Sequence, residues 1–336
     1  MQPKMTAKDA AEFLNVSLQA VNKSLKTKEL DFKKSANRIY FGHDTARSLF
    51  NLPVERKKIA FQIVKGGTGK TAITLNFALR ASLYGLKVLA IDLDQQGNLT
   101  DLLGVDGDEY ACLIDSVTDS RTRFKDLVIS VAPGLHLVPS NLDNALLEST
   151  LTIKKIRLDK VISQKLKEVE DQYDVIVFDC PPALGSTNAA AALASDFVIA
   201  VVDPDRNALK GLKYTYEEIA KIGEDHDRKI PVHVALNKFD KRTSLSRDTL
   251  ESLIKHKTFG PMFYKSYIGT SQQFPNVNAE GASIYDTIKD TTAKVDVDLL
   301  TREVLELEDA LQMRRESEKT SKSAKEDELA QPTPAN

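Results

Sequence analysis

The chain has 336 residues, 42% of them hydrophobic, and a net charge of −2, so it is long enough for one large domain or two to three smaller ones. No apolar run approaches the roughly 18 residues that a membrane span needs, and the first residues lack the apolar core of a secretory signal. These features argue against a membrane-spanning or secreted protein and predict a cytoplasmic one. The two cysteines, Cys112 and Cys180, fit no metal-ligand spacing, so we expect inert thiols.

The first 58 residues differ in charge from the rest of the chain. They contain twelve lysines and arginines against six acids, a local charge of +6, which leaves −8 for the remainder. A basic end on a nearly neutral chain favours a contact with nucleic acid. A solvated lysine-rich face is the alternative interpretation.

Within this region, the segment TAKDAAEFLNVSLQAVNKSLKTKEL predicts two helices joined by a turn at NVS. Ser17 would cap the second helix, and Val21 and Leu25 would face back to the first helix. The other face of the second helix carries residue types that contact base edges and phosphates. A short hairpin around KKSANRIYF and a further helix follow. The candidate DNA contacts of this region are Ser17, Gln19, Asn22, Lys23, Lys26 and Arg38.

Between about residues 58 and 313, apolar runs alternate with helical stretches. Several runs are apolar almost throughout, which indicates strands that are buried on both faces. Strand–helix alternation at this spacing predicts an α/β fold with a mostly parallel sheet and helices on both faces. The predicted strands are 58–64, 87–92, 135–140, 173–179, 197–203 and 232–237, and the predicted helices include 70–84, 153–171, 207–222 and 244–256.

The stretch VKGGTGKT, residues 64–71, lies between the first of these strands and the first helix. It ends like the phosphate-binding pattern G-x-x-x-x-G-K-[ST], with Val64 in place of the first glycine. Its glycines would turn backbone N–H groups toward a polyphosphate at a helix N-terminus. Lys70 would neutralise phosphate charge, and the Thr71 hydroxyl suits Mg²⁺. The predicted nucleotide contacts of this loop are Lys65, Gly66, Gly67, Thr68, Gly69, Lys70 and Thr71.

Lys65 is the unusual residue of this loop. Two ammonium groups beside one loop repel each other unless phosphate lies between them. A lysine at the second position of the loop could also point away from its own nucleotide. It could then reach the nucleotide of a second copy in a symmetric dimer, as an arginine finger does in trans.

Three aspartates follow predicted strands. YDVIVFDCPP places Asp179 after an apolar run, where an acid is costly unless it serves a metal. VLAIDLDQQGN places Asp92 and Asp94 at the end of another strand, both on the same side. Asp179 is therefore a candidate for Mg²⁺ binding through water. Asp92 and Asp94 could coordinate metal-bound water or position an attacking water, although one of the two could simply cap the next helix.

Taken together, these motifs resemble those of the ParA/MinD group of ATPases. KGGTGKT is similar to the deviant Walker A loop of that group, and DLDQQGNLTDLLG to the D-x-D-P-Q-G-N segment of ParA partition ATPases. FDCPPALGSTNAAAALASDFVIAVVDPDRNALKGL resembles their Walker B region, and ALNKFD and FPNVNAEGASIYD resemble later segments. The resemblance covers roughly residues 58–312 and implies a deviant Walker P-loop NTPase fold.

The resemblance also implies roles for individual residues. Lys65 would be the signature lysine that reaches the partner's nucleotide, Lys70 would bind phosphate, and Asp94 would orient the attacking water. Asn237 would hydrogen-bond the adenine edge. Gln95 stands where the family usually has proline, a change that could loosen the turn after Asp94 and slow hydrolysis. The implied Mg²⁺-binding residues are Thr71, Asp92 and Asp179.

As a whole, the resemblance implies a nucleoid-associated ATPase with weak basal activity that uses ATP and Mg²⁺ for DNA partition. An ATP-closed homodimer would bind DNA nonspecifically and be stimulated by a ParB-like centromere-binding partner. The N-terminal region resembles the winged helix-turn-helix of larger ParA proteins, which implies operator binding and autorepression, whereas a small helical cap is the alternative. The implied DNA contacts on the ATPase surface are Arg206, Lys210, Lys213, Lys241 and Arg242.

Other functions stay open on the same fold. A ParA-like cargo-positioning or transcription-regulating ATPase would carry the same site residues. A membrane-cycling relative like MinD would need a basic amphipathic C-terminal helix, whereas VDLLTREVLELEDALQMRR is acidic over most of its length, so we expect no membrane partner. The predicted domains are a winged helix-turn-helix at 1–53, an ATPase domain at 54–313 and a disordered polar tail at 314–336.

Overall fold

The computed structural model describes residues 1–35 and 37–329, with side chains described up to residue 320. The elements of the N-terminal region are β1 (Met5–Thr6), α1 (Ala7–Leu14), α2 (Leu18–Thr27), β2 (Lys33–Ser35), β3 (Arg38–Phe41) and α3 (His43–Phe50). The three strands form an antiparallel sheet in the order β1-β3-β2. Ser17 caps α2, since its hydroxyl accepts a hydrogen bond from the Ala20 amide. Two helices, a hairpin and a third helix thus occur in the expected order, and the winged helix-turn-helix assignment stays a proposal.

A large sheet forms the centre of the rest of the chain. Its strands are β4 (Lys57–Gln62), β5 (Val88–Asp92), β6 (Ile129–Ala132), β7 (Leu135–Val138), β8 (Val175–Asp179), β9 (Phe197–Val202), β10 (Val232–Phe239) and β11 (Phe263–Gly269). They lie in the order β11-β10-β9-β4-β8-β5-β7-β6. Every neighbouring pair is parallel except β6 and β7 at the edge. The mostly parallel sheet predicted from the apolar runs is confirmed.

Helices cover both faces of this sheet, as predicted. They are α4 (Lys70–Leu83), α5 (Asn98–Leu102), α6 (Leu113–Thr118), α7 (Ala145–Ile153), α8 (Leu158–Leu166), α9 (Ser186–Ala194), α10 (Ala208–Asp225), α11 (Ser244–Lys255), α12 (Gln273–Ala279), α13 (Thr292–Val304) and α14 (Leu307–Leu329). One apolar core lies under α4 and α13 together with the N-terminal region. A second core lies on the opposite face, under α8, α9 and α10.

The N-terminal region shares its core with the α/β fold of the rest of the chain. Phe13 of α1 packs edge-on against Phe50 of α3, with ring centroids 5.4 Å apart, and against Tyr84 at the end of α4, at 4.8 Å. A Cβ atom added to Gly85 would lie 2.3 Å from the Arg47 Cα, so the two backbones touch at this point. The apolar core is therefore continuous across the boundary predicted at residue 53.

Two strands of the large sheet, and the short β1 of the N-terminal region, were not predicted from the sequence. The edge strand β6 has four residues, most of them partly exposed, and β11, at the opposite edge, is exposed or half-buried except at Ile268. Neither reads as the continuous apolar run that marks a central strand. The helix predicted at 153–171 is also different, because α7 ends at Ile153 and α8 begins at Leu158.

The C-terminal segment differs from the predicted disorder. Helix α14 continues to Leu329, and residues 330–336 lie outside the described part of the chain. Three contacts of Arg314 stabilise its first turns after residue 313: Arg314 donates hydrogen bonds to the carbonyls of Leu49 and Phe50, and its Nε lies 2.8 Å from Glu318 Oε1. Lysine, arginine and glutamate are also good helix formers, so a polar sequence here is compatible with a helix that docks at one end.

Candidate nucleotide-binding site

The candidate phosphate loop joins β4 to α4 at the carboxyl edge of the sheet. Gly67 and Gly69 have φ angles of 77° and 86°, a region that glycine occupies without strain. A Cβ atom on Gly69 would lie 2.3 Å from the Asn237 side-chain nitrogen. Glycine at this position is thus required both by the backbone conformation and by the approach of β10.

Two residues at the end of β10 hold the loop in place. The Asn237 amide donates to the Thr68 carbonyl at 2.7 Å, and the Lys238 ammonium donates to the Gly67 carbonyl at 2.6 Å. The predicted contact of Asn237 with an adenine edge stays a prediction. Lys238 was not predicted as a site residue, although its place directly after an apolar strand and an asparagine is a usable signal.

The hydroxyl of Thr68 is buried inside the loop. Its oxygen has no hydrogen-bond partner among the described residues, and the side chain is 2% exposed. A buried hydroxyl without a partner is costly, so an oxygen-rich ligand at this position would stabilise it.

Asp179, at the end of β8, is contacted by three polar side chains in the first turns of α4. Thr71 donates to it at 2.7 Å, Thr74 at 3.1 Å, and the Lys70 ammonium lies 3.3 Å away. Burial is the largest effect on the pKa of Lys70 and lowers it, but the neighbouring acidic groups, with Asp179 first among them, together outweigh burial, so this pKa lies above its ordinary value and the lysine is charged. Asp179 is completely buried, which makes the cation and the hydroxyls essential to its solvation.

Asp92 lies directly beside Asp179, since the two are register partners on β5 and β8. The Thr100 amide and hydroxyl donate to Asp92 at 3.0 and 2.8 Å, and the Asp94 amide at 3.1 Å. Burial, and next the charge of Asp179, raise the pKa of Asp92 well above its ordinary value. Two adjacent buried carboxylates with one ammonium leave a site that favours a further cation.

Asp94 stands in a closed turn after β5. Its carboxylate accepts from the Gln96 amide at 3.0 Å, and its carbonyl accepts from the Gly97 amide at 2.9 Å. Gln95, at the position where proline is usual, is exposed in this turn. The hydrogen bonds close the turn with glutamine present, and the effect of Gln95 on hydrolysis stays a prediction.

Lys65 points to a different part of the protein from Lys70. Its ammonium lies 2.5 Å from a carboxylate oxygen of Asp203 and 2.5 Å from one of Asp205, in the segment after β9. Burial lowers the pKa of Lys65, but the two hydrogen-bonded carboxylates outweigh it, so this pKa is raised. Sequence reasoning did not single out Asp203 or Asp205. The pattern D-P-D directly after an apolar strand is the signal that would have found them.

Both cysteines behave as predicted for inert thiols. Cys112 and Cys180 are buried and form no disulfide with each other, and burial raises the pKa of each thiol to about 12. A thiol that keeps its proton is a poor nucleophile and metal ligand.

Comparison with known proteins now places the chain in a family. A family model described as an AAA domain matches residues 56–232, more than half of the chain. Cell division protein PomZ of Myxococcus xanthus is 30% identical over 290 residues, which are 84% of this chain and 87% of PomZ. The virulence plasmid ParA family protein pGP5-D of Chlamydia psittaci is 32% identical over 213 residues, 60% of this chain and 78% of that protein. The chain belongs to the ParA-type ATPases.

A solved structure supports the fold of this ParA-type ATPase. Cobyrinic acid a,c-diamide synthase from Mycobacterium smegmatis, with bound ATP analog and magnesium, has a TM-score of 0.64 and 22% identity, over 74% of this chain and 94% of that chain. The predicted P-loop fold with a mostly parallel sheet is therefore confirmed. Among the described residues, no helix is long and apolar enough to cross a membrane.

The candidate DNA-contact residues of the ParA-type ATPase differ in their exposure and in their contacts within the chain. In the N-terminal region, Gln19, Lys23 and Lys26 are exposed on α2. Ser17 is used in capping, and the Asn22 side chain is half-buried. Arg38 is turned toward the ATPase fold, where it donates to the Ile288 carbonyl.

On the ATPase surface, Arg206, Lys210, Lys213 and Lys241 are exposed, as a DNA contact requires. Lys213 lies 3.7 Å from Glu217, and the Lys210 ammonium lies 5.9 Å from the Tyr214 ring centroid. Arg242 donates to both carboxylate oxygens of Asp240. It is the least available of the five for a phosphate.

Proposed function

We propose that this ParA-type ATPase binds ATP with Mg²⁺, dimerises through the bound nucleotide, and uses the cycle to partition DNA. The observation that carries the proposal is that the side chains of the two loop lysines point in different directions. Lys70 turns inward and lies 3.3 Å from Asp179, whereas Lys65 turns outward to Asp203 at 2.5 Å. A lysine directed away from its own phosphate site has the position to stabilise the phosphate charge of a second copy.

The loop has the chemistry to hold a polyphosphate. Its glycine-rich backbone stands at the N-terminus of α4, Lys70 supplies a buried cation, and the Thr68 hydroxyl, which has no partner in the described part of the chain, supplies a donor. The ATP analog bound by the mycobacterial enzyme of the same fold supports ATP as the ligand. Asn237, which already contacts the loop, would turn toward the adenine edge.

The oxygen atoms of Asp179 and of its neighbours Thr71 and Asp92 fit Mg²⁺, which prefers hard oxygen ligands. Thr71 and Asp179 would hold the ion, with Asp92 beside them, and the ion would neutralise charge on the phosphates. Among the side chains described in residues 1–35 and 37–320, no group of three or more histidine, cysteine, aspartate or glutamate residues is arranged to hold a metal. Phosphate oxygens and water would therefore have to complete the coordination shell, as is usual for Mg²⁺.

Asp94 is the proposed residue for positioning water. It lies beside Asp92 at the carboxyl edge of the sheet, and its carboxylate accepts one hydrogen bond, from a backbone amide, whereas Asp92 accepts two from backbone amides and one from the Thr100 hydroxyl. It therefore retains acceptor capacity for a water molecule. We expect weak basal hydrolysis, stimulated by a ParB-like centromere-binding partner.

DNA binding completes the proposal. The dimer would bind DNA nonspecifically through exposed basic residues such as Arg206 and Lys210, and the N-terminal region would bind an operator and repress the protein's own operon. Both contacts should weaken steeply with salt, because phosphate contacts release counterions. The proposed location is the nucleoid in the cytoplasm.

The test compares Lys65→Ala with Lys87→Ala, a change of an exposed lysine outside the site. The Lys65 variant should bind a fluorescent ATP analogue like the wild type but form no dimer in light scattering with ATP. It should also lose ATP-dependent DNA binding, whereas the Lys87 variant keeps both. Normal ATP-dependent dimers of the Lys65 variant would refute the proposal.

A second function, positioning of a cargo other than DNA, is favoured by one finding. PomZ, a cell division protein, is similar over 84% of this chain. A deletion strain distinguishes the two: loss of a plasmid or chromosome from daughter cells supports partition, whereas mispositioned division sites or another misplaced cargo with normal DNA inheritance supports positioning.

A further inference from the structure

A segment of the ATPase fold lies against the N-terminal region and is hydrogen-bonded to it. This segment, residues 283–291, precedes α13 and is called the strap here. The Ser283 amide and hydroxyl donate to Asp286 at 2.7 and 2.9 Å, which closes a turn within the strap. The Lys4 amide donates to the Tyr285 carbonyl at 2.9 Å, and the Gln2 amide to Asp286 at 2.6 Å. The strap is thus fastened to the first residues of the chain.

The strap also engages basic side chains of the N-terminal region. Arg38, at the start of β3, donates to the Ile288 carbonyl at 2.6 Å, and the same nitrogen lies 3.7 Å from Asp290. Asp290 also accepts from the Lys8 ammonium at 3.1 Å. One strap carboxylate and one strap carbonyl therefore contact the cationic groups of Arg38 and Lys8.

These contacts lie in the groove between α2 and the β2–β3 hairpin. A cavity of about 270 Å³ lies there. The Asn22 side-chain oxygen has no hydrogen-bond partner within the described chain. The cavity is lined by residues that include Leu18 and Asn22 of α2, Arg38 and Ile39 of the hairpin, and Asp290 of the strap. An acid stands where the proposed recognition helix and hairpin meet.

We propose that the strap occupies the groove in place of nucleic acid, so that DNA must displace Asp290 from Arg38 and Lys8 before the N-terminal region binds it fully. The inference rests on the proposed DNA-binding function of this region. A carboxylate and a carbonyl satisfy the arginine as phosphate oxygens would, and the negative charge of Asp290 repels an approaching phosphate backbone.

The contacts between the strap and the basic side chains are weak enough to be broken and formed again. The side chains of Arg38 and Asp290 are 49% and 42% exposed, and exposed ion pairs are weak enough to exchange for phosphate contacts. The apolar packing of Phe13 against Tyr84 lies outside the groove and does not depend on these pairs. DNA would therefore exchange side-chain partners without undocking the N-terminal region from α4.

The experiment uses the full chain without nucleotide, so that ATP-dependent DNA binding by the dimer does not contribute. Asp290→Asn is compared with Asp44→Asn, which makes the same charge change at a side chain that is 96% exposed and does not line the cavity. Double-stranded DNA affinity is measured by fluorescence anisotropy at several salt concentrations. The Asp290 variant should bind roughly two- to fivefold more tightly than the control, because a surface pair of this strength is removed. Its salt dependence should be steeper by about one phosphate contact.

Arg38→Ala in the Asp290→Asn background should abolish the gain. Equal affinities and equal salt slopes for the Asp290 and Asp44 variants would overturn the proposal. A double variant, Lys23→Ala with Lys26→Ala, separates the two hypotheses. If it loses DNA binding while the Asp290 and Asp44 variants agree, the strap proposal alone is wrong. If it binds like the wild type, the DNA-binding role of α2 is wrong, and the strap proposal is wrong with it.

Discussion

The ammonium of Lys65 lies 2.5 Å from Asp203 and 2.5 Å from Asp205 of its own chain. Both carboxylates belong to the segment between β9 and α10, so the pairing joins the phosphate loop to a neighbouring strand end. A lysine held by two acids cannot at the same time serve the phosphates of a second copy. The pairing therefore opposes formation of the proposed dimer, and its effect can be measured as a change in the dimer dissociation constant.

Replacing Asp203 and Asp205 by asparagine should make ATP-dependent dimerisation tighter. The pairs are partly exposed, so their loss should be worth about 0.5–1 kcal/mol, or roughly two- to fivefold in the dimer dissociation constant. Sedimentation velocity with a slowly hydrolysed ATP analogue measures this constant. Asp225→Asn, at the far end of α10, is the matched control. An unchanged constant in the double variant would show that the pairing does not oppose dimerisation.

Lys70→Ala should abolish nucleotide binding and ATP-dependent dimerisation, because the loop loses its buried cation. Asp179 and Asp92 would also be left buried beside each other without a positive charge, so the free energy of unfolding should fall by about 3 kcal/mol or more. Fluorescent-nucleotide titration and thermal unfolding measure the two effects, with Lys87→Ala as the control. Dimers of the variant that form with ATP as in the wild type would contradict the loop assignment.

Asp94→Ala should bind ATP and dimerise but hydrolyse slowly. Its side chain accepts a single hydrogen bond from the Gln96 amide, so its removal leaves the site otherwise intact. Loss of a positioned acid or base typically costs about 10²–10⁴-fold in rate. Phosphate release measures turnover, with the exposed Asp101→Ala as the control. Wild-type turnover in the Asp94 variant would remove this residue from the mechanism.

Phe13→Ala should destabilise the whole chain and not the N-terminal region alone. The ring is 4% exposed and packs on both Phe50 and Tyr84, so truncation should cost about 3–5 kcal/mol. Calorimetry should show one transition at a lower temperature. Val16→Ala, in the exposed turn between α1 and α2, should have little effect. A separate early transition, with the ATPase transition unchanged, would indicate that the two regions unfold independently.

Because of Lys294, the free energy of unfolding should change with pH in the alkaline range. Burial lowers its pKa from 10.5 to about 8. Between these values the unfolded chain binds more protons than the folded chain, so the free energy of unfolding rises as pH increases through this window. Lys294→Met should lack this rise, whereas Lys289→Met, an exposed neighbour, should keep it. Denaturant unfolding at pH 7.5 to 10 distinguishes them, and parallel curves for the wild type and the Lys294 variant would refute the assignment.

The sequence predicted those parts of the site that depend on local pattern. Asp92 and Asp179 each follow a buried apolar run, and the carboxyl ends of neighbouring parallel strands meet at one edge. The partners of Lys65 could not be found this way, because Asp203 lies 138 residues further along the chain and only the sheet order brings it close. The same holds for the N-terminal region, whose composition indicated a separate domain, although its apolar face is completed by Tyr84 of α4.

Helix α4 begins at Lys70 beside the phosphate loop and ends next to the aromatic cluster of the N-terminal region. Its 14 residues make a single stiff rod. Such a rod is roughly 21 Å long, at 1.5 Å per residue. The candidate phosphate loop and the aromatic cluster of the N-terminal region therefore lie at the two ends of one helix, so the nucleotide site and the N-terminal region share a structural element.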